Sequence, residues 1–147
     1  MKISLEQAEN NELEVIIRGN IQSQEALNLV TVLGSSSAFG KIMLLGEDES
    51  FLYNSKDIIY FESALGKTYA STENGKYEVR EKLYELCDSL KSKGFIQINK
   101  STVVNINFVK SISAEFSGNY VARIKGSDET LVISRKFFNS FKEFVRR

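Results

Sequence analysis

The sequence contains no histidine and a single cysteine, Cys87. Without histidine or a second cysteine the familiar zinc arrangements have no ligand set, and no internal disulfide can form. Also missing is any apolar run approaching the ~20 residues needed to cross a bilayer. The amino terminus has no basic stretch leading into a signal-peptide core. A cytoplasmic chain with no direct membrane insertion is therefore expected. Nor is there an excess of one charge, because 19 Lys and Arg balance 19 Asp and Glu.

That balance hides an asymmetry. Residues 1–50 hold three Lys/Arg and eight Asp/Glu, net −5, whereas residues 51–147 hold sixteen and eleven, net +5. Such polarity can focus an anionic ligand on the carboxyl-terminal part, although a solvated asymmetry without a binding role has the same composition. What is present is a chain of 147 residues that is 42% hydrophobic, enough for a core. It suits one compact domain, or one of roughly 100 residues with a smaller extension.

Catalysis finds little support. Glu62, Glu78, Glu81 and Glu85 are available, but the last three fall on an ordinary charged segment. No nucleophile, base and orienting group accompany them, and no glycine motif is built to cradle phosphate. No cofactor is expected. Cys87 falls in a helical pattern and reads as an ordinary packed thiol.

Periodicity supplies the organisation. Ile3 and Leu5, then Leu13, Val15 and Ile17, alternate with polar neighbours around Asn10-Asn11, which predicts a short hairpin. Ala26, Leu27, Val30 and Leu33 recur at helical spacing after Ser23, a suitable cap. Residues 1–36 thus read as a small acidic strand-strand-helix extension, with Gly34-Ser35-Ser36-Ser37 as its connection to a main domain over 41–147. There, strands are predicted at Ile42 to Leu45, Ser50 to Tyr53, Asp57 to Ser63 and Lys67 to Ser71. A helix is predicted from Tyr77 to about Lys93 on the stripe Val79, Leu83, Leu86 and Leu90, stopped by Gly94.

Beyond Gly94 the period falls back to two. Ile96 and Ile98 alternate with Gln97 and Asn99, a half-buried strand that leads into the polar run Asn99-Lys100-Ser101 and then the apolar Val103-Val104 pair. Strands follow at Ile106 to Ile112, at Tyr120 to Ile124 and around Leu131 and Ile133, with turns at Ser117-Gly118-Asn119 and Gly126-Ser127-Asp128. Phe137, Phe138, Phe141 and Phe144 have the spacing of a short helix covering the meander's open edge. The fold class read from these patterns is α+β and rich in strands.

The segments Asp57 to Ser63, Lys67 to Tyr69, Tyr77 to Leu86, Gly94 to Ser101, Val103 to Asn105 and Val132 to Arg135, in that order, resemble a LytTR-type DNA-binding domain. The resemblance covers roughly residues 41–145 and implies an elongated, mostly antiparallel β fold. It implies a sequence-specific transcriptional regulator that contacts the DNA major groove through loop residues and is not an enzyme. The short extension is similar to a stand-alone subgroup. A complete phosphoacceptor receiver has no room before residue 41, so no direct aspartyl-phosphate switch is expected.

Carried over by position, the DNA-facing places fall at Lys67 or Thr68, at Lys100 and at Arg135. Lys67 can neutralise phosphate and Thr68 can hydrogen-bond. Lys100 can reach phosphate or guanine, and the planar fork of Arg135 suits bidentate guanine recognition. Asn99 stands where the family often has histidine, and can organise the loop or read adenine. Ser101 and Ser134 suit either backbone support or phosphate contact, as does Asn105. Lys136 suits a phosphate. The partners implied are double-stranded promoter DNA, a homodimer on paired repeats and a small membrane regulatory protein. The rival reading is a protein-interaction adaptor that uses the acidic amino-terminal extension.

Overall fold

The computed structural model describes residues 1–9, 14–33 and 41–146. The chain divides into two compact units, Met1–Val32 and Leu33–Arg147. In the first, a ten-residue helix α1 (Gln24–Leu33) follows Ser23, whose hydroxyl accepts the Ala26 amide at 3.1 Å. That is the expected cap, and it satisfies one of the orphan amides of the first turn. The predicted hairpin is corrected: residues 1–9 and 14–20 contain no strand. Ile3, Leu5 and Val15 lie exposed there and Ile17 is only half-buried, so the alternation finds no common face to bury. Its turn, Asn10-Asn11, and Leu13 lie outside the described residues, as does the connection at residues 34–37.

The second unit opens with β1 (Lys41–Leu45), β2 (Ser50–Asn54), β3 (Tyr60–Ala64), β4 (Lys67–Thr72) and β5 (Gly75–Val79). Helix α2 (Leu83–Ser89) leads to β6 (Phe95–Asn99) and β7 (Thr102–Asn105). Then come β8 (Val109–Ala114), β9 (Tyr120–Ile124), β10 (Thr130–Ile133) and helix α3 (Arg135–Val145). Strands β1 to β7 form one sheet in the order β2-β1-β5-β4-β3-β7-β6, and β8 to β10 form a second in the order β10-β9-β8. Each strand pairing is antiparallel.

Period-two alternation builds two apolar layers on opposite faces of the large sheet. Phe61 is paired with Val103 and packs with Ile42, Ala70, Val79 and Phe95 against Leu86 and Leu90 of the α2 region. Their neighbours Tyr60 and Val104, also paired, face the other way with Ile98. There they meet Ala122, Ile124 and Ile133 of the small sheet and Phe141 of α3. Burying each large side chain contributes roughly 1.5–3 kcal/mol, so losing either layer is beyond what one domain tolerates. The phenylalanines of α3 pack as predicted: Phe141 is fully buried and Phe138 stacks on Tyr120 with ring centres 3.5 Å apart.

Three boundaries differ from the periodic reading. The predicted helix from Tyr77 to Lys93 is in fact strand β5, then α2, then a single 3-10 turn at Lys91–Lys93. Val79 pairs with Thr68 on β4, and its four-residue step to Leu83 matches a helical period only by accident of the junction. Asp57 lies in a 3-10 turn, Ser55–Asp57, and the strand begins at Tyr60. Ile106–Phe108 is likewise a 3-10 turn, because the Asn105 carboxamide oxygen accepts the Asn107 amide and curls the chain. Gly94 does end the helical region, at φ +94, with Ile106 Cγ2 only 3.3 Å from where a Cβ would sit.

Candidate nucleic-acid interface

Register brings the candidate residues together at one end of the large sheet. Ala64 pairs with Lys67 across the β3–β4 turn, so Lys67 stands at the tip of that hairpin. The turn is Leu65-Gly66, with φ of +52 and +78, the left-handed pair that matches strand twist in a two-residue hairpin. Glu62 pairs with Thr102, and the Ser63 amide donates to the Ser101 carbonyl at 2.9 Å. The β6–β7 turn, carrying Lys100, therefore lies beside the end of β3 and its hairpin tip.

Asn99 ties that turn to the second sheet. Its Nδ2 donates to the Val132 carbonyl of β10 at 2.8 Å, while its Oδ1 accepts the Ser101 amide at 2.9 Å and the Ser101 hydroxyl at 3.1 Å. Next to it the Ser134 amide donates to the Ile98 carbonyl at 2.9 Å. These bonds seat the start of α3, and hence Arg135, beside the Lys100 turn. The Asn99 carboxamide thus bonds the protein through both its nitrogen and its oxygen.

Arg135 is the first residue of α3, and its own amide donates to Asn119 Oδ1 at 3.1 Å. Its guanidinium lies over Gly118, where a Cβ would stand 3.2 Å from Nη1. Glycine at φ +90 both makes the β8–β9 turn and leaves room for that side chain. The first turn of α3 has no acidic residue but carries Arg135 and Lys136, both exposed. Cations at the positive end of a helix cost about 0.3–1 kcal/mol each.

The remaining charges follow from strand pairing. Lys67 lies 3.6 Å from Glu78, an exposed pair worth at most ~1 kcal/mol and easily exchanged for phosphate. Among the described residues Lys100, Arg135 and Lys136 make no ion pair with the protein. On the same face of the sheet Lys76 pairs with Glu62 at 2.7 Å and lies over the Tyr60 ring. The Tyr60 hydroxyl donates to Glu129, joining the two sheets, and burial first, then that bond, raises its pKa above the ordinary tyrosine value. Burial likewise raises the Cys87 thiol, as expected of a packed cysteine.

Thr68 is placed differently from expectation. It is buried within β4 between Ser63 and Val79, so its hydroxyl is not presented to a ligand. Ser101 is committed to Asn99, and the Ser134 hydroxyl makes no cap bond to α3. Asn105, fully buried, donates to the Ile58 carbonyl at 3.0 Å and is purely a support. Two residues at this end escaped the sequence reading. Leu65 is a fully exposed apolar side chain at the β3–β4 tip, signalled only by a leucine inside a turn, and Asn119 holds the start of α3 from a sequence distance that no local pattern reveals.

A profile of the LytTr DNA-binding domain matches residues 48–146. An uncharacterized HTH-type transcriptional regulator of Staphylococcus aureus (strain MRSA252) is 31% identical over 126 residues, 84% of this chain and 81% of that protein. The transcriptional regulatory protein YpdB of Escherichia coli (strain K12) is 25% identical over 104 residues, 71% of this chain. The transcriptional regulatory protein NatR of Bacillus subtilis (strain 168) is 22% identical over 109 residues. The chain spans less than half the length of YpdB and of NatR, 43% and 47%. A solved LytTr DNA-binding domain from Bacillus cereus superposes with a TM-score of 0.67 at 21% identity, over 72% of this chain and 96% of that one.

The fold is a mostly antiparallel β module with few helices, the fold of that solved LytTr DNA-binding domain. The chain belongs to the LytTR DNA-binding domain family, whose members are DNA-binding transcriptional regulators. Among the described residues no helix is long and apolar enough to cross a membrane.

Proposed function

We propose that this chain is a cytoplasmic regulator that binds duplex promoter DNA in a sequence-specific way, reading the major groove from the end of the large sheet. The observation that carries the reading is the convergence of three cationic elements there: Lys67 on the β3–β4 tip, Lys100 on the β6–β7 turn, and Arg135 with Lys136 at the start of α3. Lys100 and Arg135 have no protein counter-ion among the described residues, so their charge is available to phosphate or to guanine. Arg135, whose guanidinium is a planar fork, is the base reader; Lys67, Lys100 and Lys136 supply phosphate contacts, with Lys100 also within reach of a base edge. Asn99, Ser101 and Ser134 position them.

The test is selection of bound duplexes from a random pool at two salt concentrations, followed by binding of Lys100→Ala and Arg135→Ala to the selected site. Arg135→Ala is expected to lose on the order of 1–3 kcal/mol of discrimination at one base pair. Lys100→Ala is expected to shallow the salt dependence by about one phosphate. No enrichment from the pool at low salt refutes DNA reading, and folded variants with unchanged preference and salt slope refute these residue roles.

A second reading concerns the amino-terminal unit, as a protein-contact element. It is favoured by the exposed Ile3, Leu5, Val15 and Ile16 on an acidic stretch, an arrangement that a nucleic acid would repel. Deleting residues 1–36 is expected to leave DNA binding intact while abolishing co-purification of any protein partner.

A further inference from the structure

β2 ends the large sheet, and no strand pairs with its outer edge among the described residues. The opposite end of the sheet, β6, is covered: Ser134 bonds to it and α3 packs on it. Natural edge strands are usually protected by a lysine, a proline, a bulge or a covering element. One edge of the small sheet follows that rule, since β8 carries Lys110. β2 does not, for its residues Ser50-Phe51-Leu52-Tyr53-Asn54 include no charge and no proline, and its pairing with β1 runs without a bulge. Leu52 is 64% exposed and Phe51 40%, with Met43 of β1 beside Leu52 and 40% exposed.

The phase of the ladder makes that edge usable. The Gly46 amide donates to the Glu49 carbonyl at 2.9 Å, so the backbone groups of Glu49 face β1. Alternation in an antiparallel pair then turns those of Phe51 and Tyr53 toward β1, and those of Ser50, Leu52 and Asn54 outward. The ends of the strand carry unlike charge. Before it lies the turn Glu47-Asp48-Glu49; after it lies Lys56, next to Asp57, with Lys41 paired to Asn54. Parallel pairing of two such strands sets acidic turn against acidic turn. Antiparallel pairing sets each acidic turn against the other copy's Lys56 and Lys41.

We propose that β2 is a self-association edge, at which a second copy of this chain adds its own β2 antiparallel about a two-fold axis through Leu52. Leu52 then faces Leu52 of the second copy, Ser50 faces Asn54, Phe51 faces Tyr53, and Asp48 approaches Lys56, each contact occurring twice. The central residue contributes an outward-facing amide and carbonyl at the axis, which closes a hydrogen-bonded pair. The interface lies on the strand farthest in sheet order from β6, and it forms without DNA.

The experiment uses the full chain without DNA, at roughly 100 μM, the regime of a small transient interface. Sedimentation is expected to show dimers. In a Cys87→Ser background, Leu52→Cys is expected to give a disulfide-linked dimer under mild oxidation, because facing residues of such a pair lie about 5.5 Å apart at Cα. Ser50→Cys should not, its two copies standing about 14 Å apart. Asp48→Lys and Lys56→Asp are each expected to weaken the dimer by up to about tenfold, and the two together to restore it. A monomer with no cross-link at position 52 overturns the proposal, as it would if the amino-terminal unit or another segment covered the edge. Cross-linking at both 50 and 52 overturns the antiparallel register. Restoration by the double charge swap supports the interface independently of any folding defect in the single variants.

Discussion

Replacing Asn99 with alanine separates aiming from contact. The substitution removes the carboxamide bonds to the Val132 carbonyl, the Ser101 amide and the Ser101 hydroxyl, at 2.8, 2.9 and 3.1 Å. Each such bond has a net worth of roughly 0.5–1.5 kcal/mol, and water reaches this half-buried site, so the expected loss of stability is about 2 kcal/mol. Urea unfolding measures it. The consequence for DNA is more specific. With the link to β10 gone, Lys100 and Arg135 lose their fixed spacing, so the ratio of affinities for the selected site and a one-base variant should fall by about tenfold. The salt slope should not change, because no phosphate-binding cation has been removed. Asn99→Asp divides the effect: it keeps an acceptor for Ser101 but sets a carboxylate against the Val132 carbonyl, so the turn survives and the link to β10 does not. An Asn99→Ala protein with stability within about 0.5 kcal/mol of the parent and full discrimination refutes the positioning role.

Three further outcomes follow from the same geometry. Lys136→Glu should raise stability by roughly 0.5–2 kcal/mol, since it exchanges an unfavourable charge at the α3 amino terminus for a favourable one, while weakening DNA binding; a variant that changes neither melting nor affinity refutes the phosphate-contact role of Lys136. Gly118→Ala places a Cβ 3.2 Å from Arg135 Nη1 in a backbone at φ +90, at a cost of about 1–2 kcal/mol, and should displace the guanidinium and lower base discrimination in the selected-site assay. Tyr60 is held above its ordinary pKa of 10.0 by burial and by Glu129, so the native state retains that proton more tightly than the unfolded chain. That contribution is present below pH 10 and is lost as pH rises through the raised value. Tyr60→Phe should therefore flatten part of the fall in urea midpoint above pH 10, and an unchanged alkaline profile counts against the coupling.

How much of this was legible beforehand varies with the distance over which residues act. Ser23 as the cap of α1, Gly94 as the helix stop, and the turns at Gly118 and Gly126 are local matters of capping and backbone freedom, and each stands where the sequence puts it. The boundary at Val79 was not legible, because a strand ending in Tyr77 and Val79 and a helix carrying Leu83, Leu86 and Leu90 share one continuous spacing. Only pairing with β4 tells them apart. The amino-terminal hairpin shows the converse: alternation over Ile3, Leu5 and Val15 is a pattern, and a pattern without a partner face does not make a sheet.

For the site, the family resemblance carried over by position put Lys67, Lys100 and Arg135 among the expected DNA-facing residues, with Lys136 as a phosphate contact, because cations at turns are local features of the sequence. The tertiary structure decided which polar neighbours face inward. Thr68 follows Lys67 directly, yet the period of a strand sends adjacent side chains to opposite faces, and the pairing of β4 between β3 and β5 buries it. Asn99 and Asn119 act on partners 33 and 16 residues away, bonds that exist only once the two sheets are assembled. The sequence by itself determined the chemistry available at each turn. Which turns share one end of the molecule, and which side chains hold the others in place, was decided by strand register together with the packing of the two sheets, because both bring together residues far apart in the chain that no local pattern pairs.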